Sequence, residues 1–167
     1  MPKDTADYDR ASAVAYAHRW AYSRNPAYYN YDGIGGDCTN FISQCIYAGA
    51  RVMNYDQTYG WYYISANHKA PSWSGVPFLR NFLVSNAEGP GPRAAEAAIG
   101  ELLPGDVIQL SFEGKAFQHS LLVVSAGAVP DRDNILVATH TDDSDYRPLN
   151  SYDYQNIRFL HILHVRR

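Results

Sequence analysis

The feature that most constrains the fold is a change in hydrophobic period near the middle of the chain. The N-terminal part repeats its apolar residues at helical spacing, and its first predicted helix covers 4–23. From Pro104 onward the period falls to two, which is typical of strands. The predicted strands are 107–112, 118–124, 135–140 and 157–165. Helices followed by a run of strands indicate an α+β fold with an antiparallel sheet.

The other predicted elements lie between the first helix and the strands. Asp4 or Thr5 is expected to cap the first helix. A second helix begins near Cys38, and Gly49 is expected to end it in the left-handed conformation. A third helix is predicted to start with Ser74 as N-cap, followed by a weaker helical piece over 94–102. The stretch 51–74 is predicted to be a long loop with a short strand at 61–64.

Composition bounds the class of protein. A chain of 167 residues with 46% hydrophobic and 19% charged residues is expected to form one domain, 1–167. A net charge of −3 does not indicate a basic surface that would bind nucleic acid or acidic membranes. No apolar run is long enough for a transmembrane helix, and no signal peptide is visible. We therefore expect a cytoplasmic protein, or a domain cut from a longer envelope or secreted protein. We expect a monomer without metal or cofactor.

The segment GGDCTNFISQC, residues 35–45, carries the strongest chemical signal. Cys38 and Cys45 lie on one helical face about 10 Å apart, too far for a disulfide. Asp37 is the expected N-cap, with its carboxylate accepting a backbone N–H near Asn40. In the first helical turn, the helix dipole and a nearby cation would lower the pKa of the Cys38 thiol. Cys38 is therefore the predicted nucleophile, and Cys45 is predicted to be core.

Two of the six histidines have a specific placement. His119 begins one predicted strand and His140 ends the next. If these strands form a hairpin in which Val124 opposes Ile135, then His119 opposes His140. Opposed residues share a face of the sheet, with Cβ atoms about 5 Å apart. A slip of one residue would put the two side chains on opposite faces.

This arrangement predicts nucleophilic acyl transfer. The Cys38 thiolate would attack a carbonyl, and His119 would act as base and then protonate the leaving amine. Water would hydrolyse the resulting thioester. His140 would orient His119 as the third member of a triad. Backbone N–H groups near Cys38 would stabilise the oxyanion.

Aromatic residues supply the candidate substrate contacts. The chain has 14 tyrosines and three tryptophans, many of them close to Cys38 in sequence. Aromatic faces offer large, stiff contact areas. Trp61 and Tyr62 are the predicted groove residues, and Asp37 is a predicted substrate contact beside the nucleophile.

Several motifs in order resemble the bacterial putative amidase domain family, from about Tyr8 to His161. They are GDCTNFISQ at 36–44 with YAG at 47–49, GWYY at 60–63, SW at 72–73, GDVIQL at 105–110, HS at 119–120 and THTD at 139–142. That family is similar to NlpC-type and CHAP-type cell-wall peptidases. The resemblance implies a papain-like fold with N-terminal helices packed on a C-terminal sheet. It also implies Cys38 as nucleophile, His119 as base and His140 as orienting residue, with a peptide or amide substrate such as a peptidoglycan stem peptide.

Alternatives remain open at this point. Asp142 or Asp143 could orient His119 instead of His140. The acyl group could pass to an acceptor other than water. The chain could also be a catalytically silent binding module that keeps an aromatic groove. A metal-dependent hydrolase using His119, His140 and Asp142 is a fourth hypothesis.

Overall fold

The computed structural model describes residues 4–167 and has the predicted α+β composition. The helices are α1 (Arg10–Trp20), α2 (Cys38–Ala50), α3 (Pro71–Ser74) and α4 (Val76–Ser85). The strands are β1 (Thr5–Ala6), β2 (Tyr63–Ser65), β3 (His68–Lys69), β4 (Gly91–Ala97), β5 (Val107–Ser111), β6 (His119–Ser125), β7 (Leu136–Thr139), β8 (Ser144–Pro148) and β9 (Asn156–Arg166). Two short 3-10 helices cover Ile99–Glu101 and Leu149–Ser151.

Seven strands form one antiparallel sheet. Its order is β1-β9-β5-β6-β7-β8, and β4 pairs with β9 as well. Strands β2 and β3 make a separate hairpin. All four strands predicted from the period of two are present, and their antiparallel pairing is confirmed.

The sheet has a hydrophobic cluster on each face, because successive side chains of a strand point to opposite sides. Leu122 and Val124 of β6 belong to the cluster that also contains Phe41, Ile42 and other residues of the helices. Leu121 and Val123 belong to a second cluster on the other face. α2 packs against β6 within the first cluster, and this contact positions the N-terminus of α2.

The first helix is shorter than predicted. It begins at Arg10, and its N-cap is Asp9, whose carboxylate accepts the backbone N–H of Ser12 at 3.1 Å. The predicted caps Asp4 and Thr5 lie outside the helix. Thr5 pairs with Arg166 at the edge of the sheet, and this sheet pairing overrides the local helix signal.

The weak helix predicted over 94–102 is wrong for its first part, while Ile99–Glu101 forms a short 3-10 helix. Residues Gly91–Ala97 form β4, which pairs with β9 along its whole length. The alanines of this segment favour a helix locally, but the long partner strand satisfies their backbone groups in a sheet.

Gly49 does not end α2. The helix continues to Ala50, and the left-handed residue is Arg51, with φ of 59°. Gly49 is needed for a different reason, because a Cβ there would lie 2.6 Å from the Asp9 carbonyl oxygen and 2.6 Å from the Tyr8 ring. It therefore lets α2 approach the segment that leads into α1.

The middle of the chain differs from prediction in detail. Ser74 ends the short helix α3, and Gly75 is the N-cap of α4. The predicted loop 51–74 contains the β2–β3 hairpin and an isolated bridge between Asn54 and Trp61. Within residues 4–167, no helix combines the length and apolarity needed to cross a bilayer.

Candidate active site

Cys38 is the first residue of α2, as predicted, and its side chain is buried. The neighbouring Thr39 hydroxyl is 2.9 Å from the Ser120 hydroxyl, and this contact joins α2 to β6. The backbone of Ser120 also lies close enough to the Cys38 sulfur to favour the thiolate. The nucleophile candidate is therefore held beside the first residues of β6.

The resting thiol is not activated in the predicted way. Burial raises the pKa of Cys38, and the nearby Asp37 carboxylate raises it further. The Ser120 backbone and Thr39 hydrogen bonds act in the opposite direction and offset only part of this rise. In the absence of substrate, Cys38 is a thiol rather than a thiolate at neutral pH.

Cys45 behaves as the core residue that the helical face predicts. It has no exposed surface and belongs to the main hydrophobic cluster. Burial raises its pKa well above the ordinary value. The two cysteines differ in that only Cys38 has the Ser120 backbone and the Thr39 hydroxyl beside its sulfur.

Asp37 precedes α2 but does not cap it with its side chain. Its carboxylate accepts hydrogen bonds from the Tyr31 backbone N–H and the Asn40 side-chain amide, both at 2.9 Å, and from His140 at 2.6 Å. Burial would raise the pKa of Asp37, but these donors outweigh it and lower the pKa. Asp37 is 1% exposed, so its carboxylate faces the protein rather than a substrate.

His140 has a partner on each ring nitrogen. Nδ1 is 2.6 Å from the Asp37 carboxylate, and Nε2 is 2.8 Å from the Trp20 carbonyl oxygen. Both partners are acceptor atoms, so each ring nitrogen is engaged by a contact within the protein. The ring also stacks on Phe41, with centroids 3.9 Å apart. His140 therefore has no ring nitrogen free to orient His119.

The predicted opposition of His119 and His140 is wrong by one residue. Leu122 pairs with Ala138, and Val123 pairs with Val137. Continued to the strand ends, this register sets Thr141 opposite His119. A shift of one residue moves a side chain to the other face of the sheet. His140 therefore lies on the same face as Ala138, toward the helices, whereas His119 lies on the same face as Leu121, on the opposite side of the sheet.

His119 lies at the start of β6 and is 6% exposed. Its ring is near the rings of Tyr152 and Phe112, at centroid distances of 6.0 and 6.2 Å. Within residues 4–167, no side-chain hydrogen bond engages either ring nitrogen. Burial, then the positive charge of Arg147, lowers the pKa of His119 to about 4, while Asp142 acts in the opposite direction. His119 is therefore a neutral imidazole at pH 7 with both nitrogens available.

The turn after His140 brings charged groups toward His119. Thr141 and Asp142 have φ of 63° and 61°, a left-handed conformation that is uncommon for a β-branched residue. The Asp142 carboxylate is 3.6 Å from Arg147, whose guanidinium lies 3.7 Å from the centre of the Tyr152 ring. Asp142 therefore acts on His119 through its charge. Asp143 instead bonds to Arg24 at 3.0 Å.

The predicted aromatic contacts are not exposed. Trp61 has no exposed surface, donates its ring N–H to Ser43 at 3.0 Å and packs on Trp73. Tyr62 is 7% exposed. Trp61 thus forms part of the core in this structure instead of a groove wall. The aromatic pair closest in sequence to the nucleophile is the exposed Tyr29 with the half-buried Tyr31, whose rings are 5.0 Å apart.

Four groups at this site were missed by sequence reasoning. They are the Trp20 carbonyl, Ser120, Arg147 and Tyr152. Ser120 had a signal, because it follows His119 in the same motif. The Trp20 carbonyl had no signal in the sequence, because it is a backbone group. Arg147 and Tyr152 had none either, because they lie on and just after β8, a strand that was not predicted. Across the described residues 4–167, no group of three His, Cys, Asp or Glu side chains is arranged to hold a metal ion.

Comparison with known proteins places the chain in a family. The putative amidase domain matches residues 7–163. The chain is 39% identical over 145 residues to the uncharacterized protein YhbB of Bacillus subtilis (strain 168), covering 84% of this chain. It spans less than half of that relative, 43% of its length. No solved structure matches. On the family match and this relative, the chain belongs to the putative amidase domain family.

Proposed function

We propose that this chain is a cysteine-dependent amide-bond hydrolase. The observation that carries the proposal is the position of Cys38, at the N-terminus of α2 and beside the Ser120 backbone at the start of the strand that carries His119. A thiol, an imidazole and backbone N–H groups are the parts that acyl transfer through a thioester requires. The family description supports an amide as the bond cleaved.

His119 would act as a general base in this mechanism. Its pKa of about 4 leaves it neutral and able to accept a proton. The proposal requires the His119 ring to reach the Cys38 sulfur past the start of β6, because the two side chains lie on opposite faces of the sheet, and to take the thiol proton as the sulfur attacks the carbonyl carbon. The imidazolium would then give this proton to the leaving amine, and a water activated by the same imidazole would release the acid. The high pKa of the buried thiol favours this concerted route over a preformed thiolate and imidazolium.

The Asp37–His140 pair would position Cys38, the nucleophile, and would not orient His119. It ties the residue before Cys38 to the Trp20 carbonyl at the end of α1, at 2.6 and 2.8 Å. The Tyr31 N–H bond to Asp37 holds the aromatic loop in the same place. Tyr29 and Tyr31 would then offer a surface for the substrate chain, in place of Trp61.

The substrate proposed is a cell-wall peptide, and the fold proposed is papain-like, of the NlpC and CHAP type. The order of a helix N-terminal cysteine followed by an antiparallel sheet with a histidine at a strand start supports the fold proposal. The substrate rests on the likeness of the motifs to those peptidases.

The test compares two cysteines on the same helix. Purified Cys38→Ala should lose about 10⁴-fold or more in the rate of hydrolysis of cell-wall fragments, because the thioester cannot form. Cys45→Ala should keep most of the activity, since Cys45 lies in the core. Mass spectrometry of the digests identifies the bond cleaved and shows whether water or an amine accepts the acyl group. Cleavage that survives in Cys38→Ala contradicts the proposal.

A further inference from the structure

A second candidate site lies in a pocket that contains neither Cys38, His119 nor His140. The pocket has a volume of about 830 Å³ and is formed by the loop around Asn54, by α4 and by the segment up to Gly89. This volume is in the range of sites that hold small ligands. Phe82 forms part of its wall, while Tyr59 and Phe78 are 82% and 53% exposed.

Two side-chain amides in this pocket each have one polar atom without a hydrogen-bond partner among the described residues. Asn54 is 8% exposed, and its oxygen accepts the Asp56 backbone N–H at 3.0 Å, which fixes the orientation of the amide. The Asn86 nitrogen donates to the Pro90 and Pro92 carbonyls, so its oxygen is also identified. Among the described residues, neither the Asn54 nitrogen nor the Asn86 oxygen has a hydrogen-bond partner. The pocket therefore presents a fixed donor and a fixed acceptor.

Gly89 lies next to both of these atoms. A Cβ built at Gly89 would lie 2.7 Å from the Asn54 nitrogen and 2.8 Å from the Asn86 oxygen. The backbone at Gly89 does not have the positive φ that requires glycine. The absence of a side chain here keeps open the space that both free amide atoms border.

The charged groups of the pocket are negative. Asp56 and Glu88 line it, and no lysine, arginine or histidine among the described residues does. The Tyr59 and Thr58 backbone N–H groups lower the pKa of Asp56, so this carboxylate is ionised at neutral pH. Glu88 makes no hydrogen bond or ion pair with the described residues. Such a pocket disfavours anionic ligands and favours cations.

We propose that this pocket binds a basic peptide segment. A peptide bond supplies the acceptor and the donor that match the Asn54 nitrogen and the Asn86 oxygen. The aliphatic stem of a lysine would lie on the aromatic wall, and its ammonium would approach Asp56, Glu88 and the exposed Tyr59 ring. The site does not depend on the proposed hydrolase activity, because it uses none of those residues.

The test measures binding of N-acetyl-lysine N-methylamide to the whole chain by NMR titration. N-acetyl-norleucine N-methylamide is the matched probe, since it has the same stem without the charge. Gly89→Ala should weaken binding of the lysine probe at least about tenfold, because its methyl group blocks the two amides. Gly100→Ala is the matched control, because a Cβ there meets nothing within 4 Å.

A second variant keeps the proposal testable if Gly89→Ala folds poorly. Glu88→Gln removes a charge that the fold does not use and should weaken the lysine probe about threefold while leaving the norleucine probe unchanged. Loss of binding in Gly89→Ala with retention in Gly100→Ala supports the site. No saturable binding of the lysine probe, equal binding of both probes, or binding of N-acetylglucosamine in preference to the peptide would overturn it.

Discussion

At the scale of single residues, the site depends on the different surroundings of the His140 and His119 rings. His140 has an acceptor atom beside each ring nitrogen and stacks on Phe41, so both of its nitrogens are engaged within the core. His119 has no hydrogen-bond partner for its ring within residues 4–167, and burial and Arg147 disfavour its charged form. The same side chain thus has a structural role at one position and free ring nitrogens at the other.

The pKa of His119 predicts the acid limit of the proposed hydrolysis, in which His119 is the base. The base acts only when neutral, so kcat/KM should stay high as the pH falls below about 6.5, the ordinary histidine pKa, and decline near the pKa of about 4. Arg147→Met should move this limb to higher pH, because the positive charge that opposes protonation is removed. Asp142→Asn should move it to lower pH, because the carboxylate favours the protonated ring.

The measurement is kcat/KM across pH, with the His119 ring signals followed by NMR in parallel. The NMR titration gives the pKa even if no substrate is turned over. A wild-type limb at the ordinary histidine pKa, or movement of both variants in the same direction, would contradict this account of His119.

At the scale of elements, the position of Cys38 depends on how closely α2 approaches the start of α1. Gly49 permits the contact, because the Asp9 carbonyl oxygen and the Tyr8 ring occupy the space of a Cβ. The Asp9 N–H also donates to the Gly49 carbonyl at 3.0 Å. The two segments therefore meet backbone to backbone.

Gly49→Ala should lower the free energy of unfolding by about 1 to 3 kcal/mol, because the added methyl group has no space between two packed segments. Alanine is otherwise the better helix former, so a destabilisation has to come from the contact. Urea unfolding measures the change, with Gly100→Ala as the control in open space. An unchanged or higher stability in Gly49→Ala would show that α1 and α2 can move apart at little cost.

Elements with a clear local signal were predictable, and those held by distant partners were not. The start of α2 and the strands β5, β6, β7 and β9 follow from residues close together in sequence. β4 did not, since its alanines favour a helix and only pairing with β9 makes it a strand. The predicted caps of α1 failed for the same reason, because Thr5 joins the sheet.

At the scale of the whole molecule, Asp106 connects the first helix to the sheet. Its buried carboxylate accepts hydrogen bonds from Arg10 at 2.8 Å, His161 at 2.7 Å, and the backbone N–H groups of Leu103 and Ile162 at 2.9 Å. It thereby joins α1, the turn before β5 and the long strand β9. The sequence showed this aspartate only within the GDVIQL motif at 105–110.

Asp106→Asn should lower the free energy of unfolding by about 3 to 5 kcal/mol, because donors that include a partly buried guanidinium lose a carboxylate oxygen. Asp153→Asn is the control at an exposed carboxyl and should stay within about 0.5 kcal/mol. Urea denaturation at neutral pH measures both. Equal stability of the two variants would mean that α1 is held by its apolar contacts alone.

The sequence by itself determined the α+β class, the helix that begins at Cys38 and the positions of the two cysteines along that helix. These follow from the spacing of apolar residues along single elements, because that spacing matches the turn of a helix or the alternation of a strand. Only the tertiary structure decided the register of β6 and β7, the partners of His140 and the raised pKa of Cys38. Asp37 and His140 are 103 residues apart, and a slip of one residue between strands reverses a face. Cys38 therefore remains the predicted nucleophile, but burial and the Asp37–His140 pair now define its surroundings.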